Sequence, residues 1–345
     1  MKILIAGYYG FGNMGDELIL SAVISQLNAR YDNPDITVLS VDPIDTCRTH
    51  QVRAVPRWNP LVLAREIWRN DFLILGGGGL IQNKTSQKSL LYYLGLIGLA
   101  RVMGCPVVLF AMGVETLDGG FARRLTRFLL TGGNVIITVR DEASKKILCD
   151  IGVPASSIYI TADPVFSRVA QAPPRDRYAS SASAALLIPR FPCPPQGRTM
   201  FAILARILRD ERRMNIRGIL FQPKMERPYL ASFNGESILS EEDFLEDLSL
   251  DDIASRVAQF DWVVSARFHG LVLAALGGRP FIGVGDSHKV GRLCEMLKMP
   301  FLPWGSSESA IHAAVEKLAL KSFDAQSAQV DRLREAALQT ANHVG

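Results

Sequence analysis

The sequence predicts an α/β protein made of two successive doubly wound arrays, and three observations lead there. Short apolar runs alternate with longer amphipathic segments along almost the whole chain. The runs are continuous in Val, Ile and Leu, the pattern of parallel strands buried on both faces. One stretch, RVAQAPPRDRYASSASA (168–184), breaks the alternation with prolines and small polar residues, and the alternation then restarts. A length of 345 residues suits two domains of ordinary size. The expected division is a first domain at 1–172, a second at 173–322 and a C-terminal helix at 323–345 packing back towards the first, with a cleft between the arrays.

Taken in order, KILIAG (2–7) reads as a strand, followed by a Gly-rich turn and a helix from about Asp16 to Arg30. DITVLSVD (35–42), DFLILGGGG (71–79), PVVLFAMGV (106–114) and NVIITVRD (134–141) continue the strand series, and SIYITA (157–162) adds a short strand. The second array has AALLIP (184–189), RGILFQP (217–223), DWVVSAR (261–267) and RPFIGVG (279–285). A polar helix from about Phe323 to His343 closes the chain.

Composition removes several classes. With 48% hydrophobic, 21% charged and 8% aromatic residues, the chain is not disordered, collagen-like or a coiled coil. A net charge of +4 does not call for nucleic acid, and it leaves an anionic ligand or a membrane surface open. The five cysteines are scattered without a CxxC spacing, which points to thiols that are mostly buried, in a reducing compartment. The first apolar run soon meets Asp16 and Glu17, and the stretch from Leu90 to Ala100 is far shorter than the ~20 residues of a span. The expected location is cytoplasmic, with contact at the inner face of the plasma membrane left open. Two stretches hint at such contact: Arg57-Trp58 through Arg65, Trp68 and Arg69, and the basic amphipathic segment from Phe121 to Leu130. A solvated basic face is the plainer reading of both.

Gly10, Gly12 and Gly15 satisfy GxGxxG between a strand and a helix, and Asp42 ends the second strand, the context of a dinucleotide fingerprint. Asp16 and Glu17 argue against that use. Carboxylates in the first helical turn suit the helix dipole but repel a pyrophosphate. The turn fits a ligand offering hydroxyls, such as a sugar; the alternative is a tight turn with helix-start acids. Gly76 to Gly79 imply a close approach to their backbone, by packing or by a ligand. Gln82, Asn83, Ser86, Ser89, Tyr92 and Tyr93 follow, a mixture that suits a carbohydrate site or an ordinary loop.

The sharpest constellation is Ser265-Ala266-Arg267-Phe268-His269-Gly270 at the carboxyl end of a strand. Arg267 and His269 stand two apart on a turn entering an apolar helix, and Lys289 and Arg292 stand three apart at the start of the next. Each cation alone is an ordinary surface residue; together they suit a small, multiply charged anion. Arg140-Asp141 and Asp163 end strands of the first array, where Arg140 either pairs with these carboxylates or meets a ligand. His50, His312 and His343 have no evident partner and read as surface residues. The absence of HExxH, GxSxG and Walker patterns removes the zinc peptidase, serine hydrolase and P-loop readings, and no metal is expected.

In one order, GYYGFGNMGDELI, GGGGLIQNKTSQKSLLYYL, VRDEAS, ITADPVF, SARFHGLVLAA and HKVGRL resemble the polysaccharide pyruvyltransferase family, and within it the cell-surface-anchoring (secondary cell wall polymer) branch. The resemblance spans residue 1 to about residue 300. It implies a GT-B-like fold of two Rossmann-like domains facing a cleft. It also implies transfer of the enolpyruvyl group of phosphoenolpyruvate onto two hydroxyls of a lipid-carrier-linked, N-acetylmannosamine-containing saccharide. The products would be a pyruvyl ketal that later anchors surface-layer proteins, and phosphate, with no cofactor beyond the donor substrate. Carried over, it places the donor against Arg267, His269 and Lys289, with Arg140 reaching across the cleft and Arg292 close by. The acceptor falls near Asn13, Asp16, Glu17, Gly77, Gly78, Gln82 and Asn83. His269 is then the acid that protonates the donor's methylene carbon, Arg267 a stabiliser of the departing phosphate, and Asp16 the base. The family pattern usually has Asp where this chain has Asn83, so no carboxylate is available there. Two other classes fit the same architecture: a nucleotide-sugar glycosyltransferase, with Glu295 as the ribose contact, and a non-catalytic carbohydrate- or lipid-carrier-binding protein. A nicotinamide dehydrogenase follows them. The oligomeric state leaves no mark on the sequence.

Overall fold

The computed structural model describes residues 1–84, 86–168, 183–234, 238–245, 248–320 and 324–344. The chain divides into two compact units, Met1–Arg168 with Arg332–Gly345, and Val169–Asp331. The expected boundaries, between 172 and 173 and between 322 and 323, lie outside the described residues.

The first unit alternates β1 (Lys2–Ala6), α1 (Met14–Arg30), β2 (Asp35–Ser40), α2 (Pro43–His50), β3 (Arg53–Pro56), α3 (Pro60–Arg69) and β4 (Phe72–Gly76). It continues with α4 (Gln87–Val102), β5 (Val107–Met112), α5 (Gly120–Leu130), β6 (Val135–Val139), α6 (Glu142–Asp150) and β7 (Ile158–Ile160). All seven strands are parallel, in the order β3-β2-β1-β4-β5-β6-β7. The direction of winding reverses between β1 and β4. The loops leaving those two strands therefore part from one another and open a crevice at the carboxyl edge. Continuous apolar strands fit this sheet because both faces are covered. Leu4, Leu73, Leu75, Leu109 and Ile137 pack under α3, α4, α5 and α6 on one side. Five helices begin on their own polar side chains: Asn13, Asp42, Asn59, Ser86 and Asp141 each accept a backbone N–H at the start of α1, α2, α3, α4 and α6. After the turn Gln339–His343, the Val344 carbonyl accepts the Tyr31 hydroxyl, and the His343 ring stacks 4.4 Å from Tyr159.

The second unit holds β8 (Ala184–Ile188), α7 (Pro195–Arg206), β9 (Asn215–Ile219), α8 (Pro223–Glu226), α9 (Ala231–Asn234), β10 (Phe244–Leu245) and α10 (Asp252–Val257). β11 (Trp262–Ser265), α11 (Phe268–Leu276), β12 (Phe281–Val284), α12 (His288–Met296), β13 (Phe301–Leu302) and α13 (Glu308–Ala319) follow, and α14 (Asp324–Leu338) spans the division. Its parallel sheet runs β10-β9-β8-β11-β12-β13, so here the winding reverses between β8 and β11. The expected α/β class with two doubly wound parallel sheets is the observed one. The strands not anticipated are β3, β10 and β13: β10 and β13 have two residues each, and β3 is an edge strand ending in Pro56.

Candidate active site

At the first sheet's carboxyl edge, the loop after β1 is organised around Tyr9. Its ring is buried and its hydroxyl donates to the Gly76 carbonyl at 2.7 Å. Gly7 and Gly76 are glycines because a Cβ at either would collide with that ring or its hydroxyl. Burial pushes the Tyr9 phenol well above its ordinary pKa, with Asp16 adding to the effect, so it remains a donor. The buried Arg57 donates to the Gly7 carbonyl at 2.7 Å and to the Tyr93 hydroxyl at 3.2 Å. Its guanidinium lies 4.5 Å from the Tyr92 ring centre and 4.8 Å from that of Trp58. Burial raises the Tyr93 phenol to about 12. Tyr8 and Phe11, stacked 3.9 Å apart, form an aromatic pair on the loop.

Asn13 caps α1 by accepting the Gly15 N–H at 3.1 Å, and its amide donates to Asp16 at 2.6 Å. The Gly10 N–H, which a pyrophosphate would use, donates instead to Glu17 at 2.9 Å. The other Glu17 oxygen meets His50 Nε2 at 2.9 Å. His50, expected to be a surface residue, is therefore a correction: its side chain is only 2% exposed, because α2 brings it against the start of α1. Asp42 caps α2 through the Asp45 N–H at 3.1 Å, a structural role for the residue that a dinucleotide reading would give to ribose.

The four glycines from Gly76, which ends β4, to Gly79 divide by what surrounds them. A Cβ on Gly77, at φ +55°, would stand 2.5 Å from Ile19, so Gly77, like Gly76, answers to packing. The next two face carboxylates: a Cβ on Gly78 would be 3.4 Å from Asp16 Oδ1, and one on Gly79 3.6 Å from Glu115 Oε1. Glu115 was not singled out from the sequence, although it directly follows the strand segment ending in Val114 and so belongs to the carboxyl edge. The loops after β4 and β5 are joined. Gly113 donates to Gly78 at 2.8 Å, Ile81 and Val114 form a bridge, and the Asn83 side chain both donates to the Asp118 carbonyl (2.6 Å) and accepts its N–H (2.8 Å). Gln82 lies half-buried on the same loop. Arg140 is nearly wholly buried, 3.2 Å from Asp163 and 3.6 Å from Asp141, and it lies against Gly113, where a Cβ would come within 2.6 Å of the guanidinium carbon.

The second sheet's carboxyl edge is built on Ser265, whose hydroxyl accepts the Arg267 N–H at 3.0 Å and donates to the Arg267 carbonyl at 2.8 Å. Gly270 leaves room for that hydroxyl, since a Cβ there would stand 2.5 Å from it. The turn so held puts Arg267 at the N-cap of α11 and His269 in its first turn, half-buried and edge-on to Phe268 at 5.2 Å. The Arg267 guanidinium is bound by the buried carboxylate of Glu226, on α8, and lies 3.4 Å from Gln222 Oε1. Glu226 also accepts the N–H groups of Phe191 (3.2 Å) and Gln222 (2.8 Å). β12 lies next to β11, so α12 starts beside α11 and brings Lys289 and Arg292, both half-buried, to the same edge. Among the described residues, neither α11 nor α12 has a side-chain cap, in contrast to the five self-capped helices of the first unit.

The site residues expected from the sequence thus fall into two groups. Asn13, Asp16, Glu17, Gly77, Gly78, Gln82, Asn83 and Arg140 share the first sheet's edge; Arg267, His269, Lys289 and Arg292 share the second's. Glu295, the expected ribose contact of a glycosyltransferase, is exposed near the far end of α12 from Lys289. His312 lies 3.7 Å from Glu211 on an exposed surface.

The family profile described as polysaccharide pyruvyl transferase matches residues 13–288. No curated protein matches the chain. Among solved structures, the chain is similar to UDP-GlcNAc 2-epimerase from Neisseria meningitidis bound to UDP-GlcNAc, at 13% identity and a TM-score of 0.62, covering 100% of this chain and 99% of that one. The S. aureus MnaA-UDP co-structure has 12% identity and a TM-score of 0.67 over 100% of this chain and 96% of its own. Anabaena HepE in complex with UDP has 15% identity and a TM-score of 0.64 over 99% and 97%. At these identities the likeness is one of fold, a GT-B-like α/β architecture.

Proposed function

The chain belongs to the polysaccharide pyruvyl transferase family, and on that premise we propose that it moves the enolpyruvyl group of phosphoenolpyruvate onto two hydroxyls of a saccharide. The observation that carries the donor assignment is the pair of neighbouring helix starts, α11 and α12, which lack side-chain caps and carry Arg267, His269, Lys289 and Arg292. Phosphoenolpyruvate has two anionic ends, a carboxylate and a phosphate, and two adjacent helix N-termini with cations suit both. Arg140 already has its charge matched by Asp163 and Asp141, and its task in this reading is to hold the strand ends of the first unit rather than to meet the donor.

In this reaction His269 delivers a proton to the methylene carbon, making it a methyl group and leaving an oxocarbenium-like centre. A saccharide hydroxyl attacks that carbon, the carbon–oxygen bond to phosphate breaks, and a second hydroxyl closes the ketal. Of the two hydroxyl protons, one replaces that lent by His269 and the other leaves with hydrogen phosphate. Arg267 and Lys289 stabilise the departing phosphate. Asp16 takes a hydroxyl proton, and Glu115, which faces the same glycine loop, holds an acceptor hydroxyl. The Tyr8–Phe11 pair offers an aromatic face to a sugar ring. The acceptor in this reading is a lipid-carrier-linked, N-acetylmannosamine-containing saccharide of cell-wall polymer synthesis.

The test is phosphate release from phosphoenolpyruvate with and without an aryl-lipid N-acetylmannosaminyl disaccharide, followed by mass analysis of the sugar. Acceptor-dependent release with a pyruvyl mass gain is the expected result. No release, together with no protection of the fold against heating by phosphoenolpyruvate, overturns the donor assignment and favours a nucleotide sugar.

A further inference from the structure

Helices α3, α4 and α5 lie side by side on one face of the first unit's sheet, and their inward residues form the core there. Their outward side is apolar to an unusual degree. Trp58, just before α3, is 61% exposed, and Trp68 on α3 is 75% exposed. Phe121 and Phe128 on α5 are 72% and 68% exposed. On α4, beyond the exposed Gln87 and Lys88 of its first turn, the outward positions are also apolar, with Leu91, Gly95 and Val102 exposed while Leu90, Leu94 and Ile97 fill the core. A helix that is apolar all round belongs in a protein core or against lipid.

The same face is cationic. The three helices carry seven Lys and Arg residues and one carboxylate, Glu66, a local excess of six where the whole chain has +4. Glu66 is buried, where it binds Arg65 and also Arg53, which stands outside the three helices. α4 and α5 have no acidic residue at all. Indole and phenyl groups interleaved with arginines are what a bilayer boundary binds: rings enter among the headgroups while guanidinium groups meet phosphates. A symmetric contact with a second copy would instead set this cationic face against itself.

We propose that the outer face of α3, α4 and α5 docks on an anionic lipid bilayer. Trp58, Trp68, Phe121 and Phe128 enter the headgroup layer, and Arg69 and Arg124 meet lipid phosphates. The contact is peripheral; among the described residues no helix is long and apolar enough to cross a membrane. This inference stands on the surface itself and not on the proposed reaction.

The test is co-sedimentation of the full chain with vesicles of phosphatidylcholine alone and of phosphatidylcholine with phosphatidylglycerol. Binding is expected to the anionic vesicles and not to the neutral ones, and to weaken with added salt. Trp58→Ser with Trp68→Ser lowers the binding at least tenfold. Arg69→Gln with Arg124→Gln lowers it roughly fivefold per cation removed. Trp68, Arg69 and Arg124 are exposed, so the thermal midpoint of the Arg variant stays at that of the wild type, and so does that of Trp68→Ser alone, which leaves the contact of Trp58 with Arg57 in place and still weakens binding. Met225→Ser, at an exposed apolar position of the second unit, binds as the wild type does. Failure of the wild type to bind anionic vesicles overturns the proposal, as does binding that survives both double substitutions. A dimer in sedimentation velocity that is lost in the Trp variant overturns it too, and assigns the face to a second copy. Phosphate release is not a readout here, so either proposal can fail without the other.

Discussion

The carboxylate of Glu226 binds the guanidinium of Arg267 while accepting two backbone N–H groups, from Phe191 and Gln222. One buried acid thus ties together the loops after β8, β9 and β11 and aims the arginine proposed to meet the donor phosphate. Glu226→Gln keeps the shape and removes the charge. It should cost roughly 1.5–3 kcal/mol of unfolding free energy and raise the donor KM more than it lowers kcat. Denaturant unfolding and initial-rate kinetics check both; an unchanged donor KM would show that Arg267 does not depend on this carboxylate.

His269→Ala should lower turnover by about a hundredfold or more with the donor KM nearly unchanged, as expected for loss of a proton donor. Single-turnover phosphate release distinguishes this from the alternative. Normal turnover with a raised donor requirement would make His269 a binding residue.

The two carboxylates beside the glycine loop should behave differently. Asp16→Asn removes the proposed base and lowers turnover by about a hundredfold, whereas Glu115→Gln raises the acceptor KM. Acceptor titrations of the two variants, made at saturating donor, test the assignment; a reversed pattern exchanges the roles.

Gly12 and Gly77 both have positive φ, at +69° and +55°, but only Gly77 has a neighbour in the way, with Ile19 2.5 Å from where its Cβ would be. Gly12→Ala should therefore cost about 1–2 kcal/mol, the price of the left-handed backbone. Gly77→Ala should cost that plus a further ~1–3 kcal/mol for overpacking. Equal losses in denaturant unfolding would refute the steric part.

Glu66 offers a pH test. Arg53, bonded to it at 2.7 and 2.8 Å, is the main cause that holds its carboxyl at about 2 against an ordinary 4.5. A lowered folded-state value means that its contribution to stability is complete above pH 4.5 and is lost as pH falls towards 2. Glu66→Gln should be less stable at neutral pH and should lack this part of the acid slope, which melting curves across the window would reveal.

The fold was readable because parallel strands buried on both faces leave continuous apolar runs, as in β1, β5 and β11. The short strands β3, β10 and β13 leave too few residues for any period to show. The place of Arg267, His269 and Lys289 at the carboxyl edge was readable for a related reason: each stands within five residues of the end of a strand, and strand ends are where such sheets bind ligands. Glu226 and His50 were not readable. Their partners lie 41 and 33 residues away in the chain, and only the folded sheet brings them together. Position after a strand was the one available signal for Glu226 and Glu115.

Asn83 makes two bonds of opposite sense to the Asp118 backbone, one as donor and one as acceptor. An aspartate could return only the second and would set a negative charge against a carbonyl oxygen. The segments leaving β4 and β5 are therefore zipped from Gly78 to Asn83, and they form a single wall rather than two independent loops. Grafting in a segment with aspartate at position 83 would leave the Asp118 carbonyl without its side-chain donor and facing a carboxylate, so a change of acceptor preference by loop exchange has to carry both segments together.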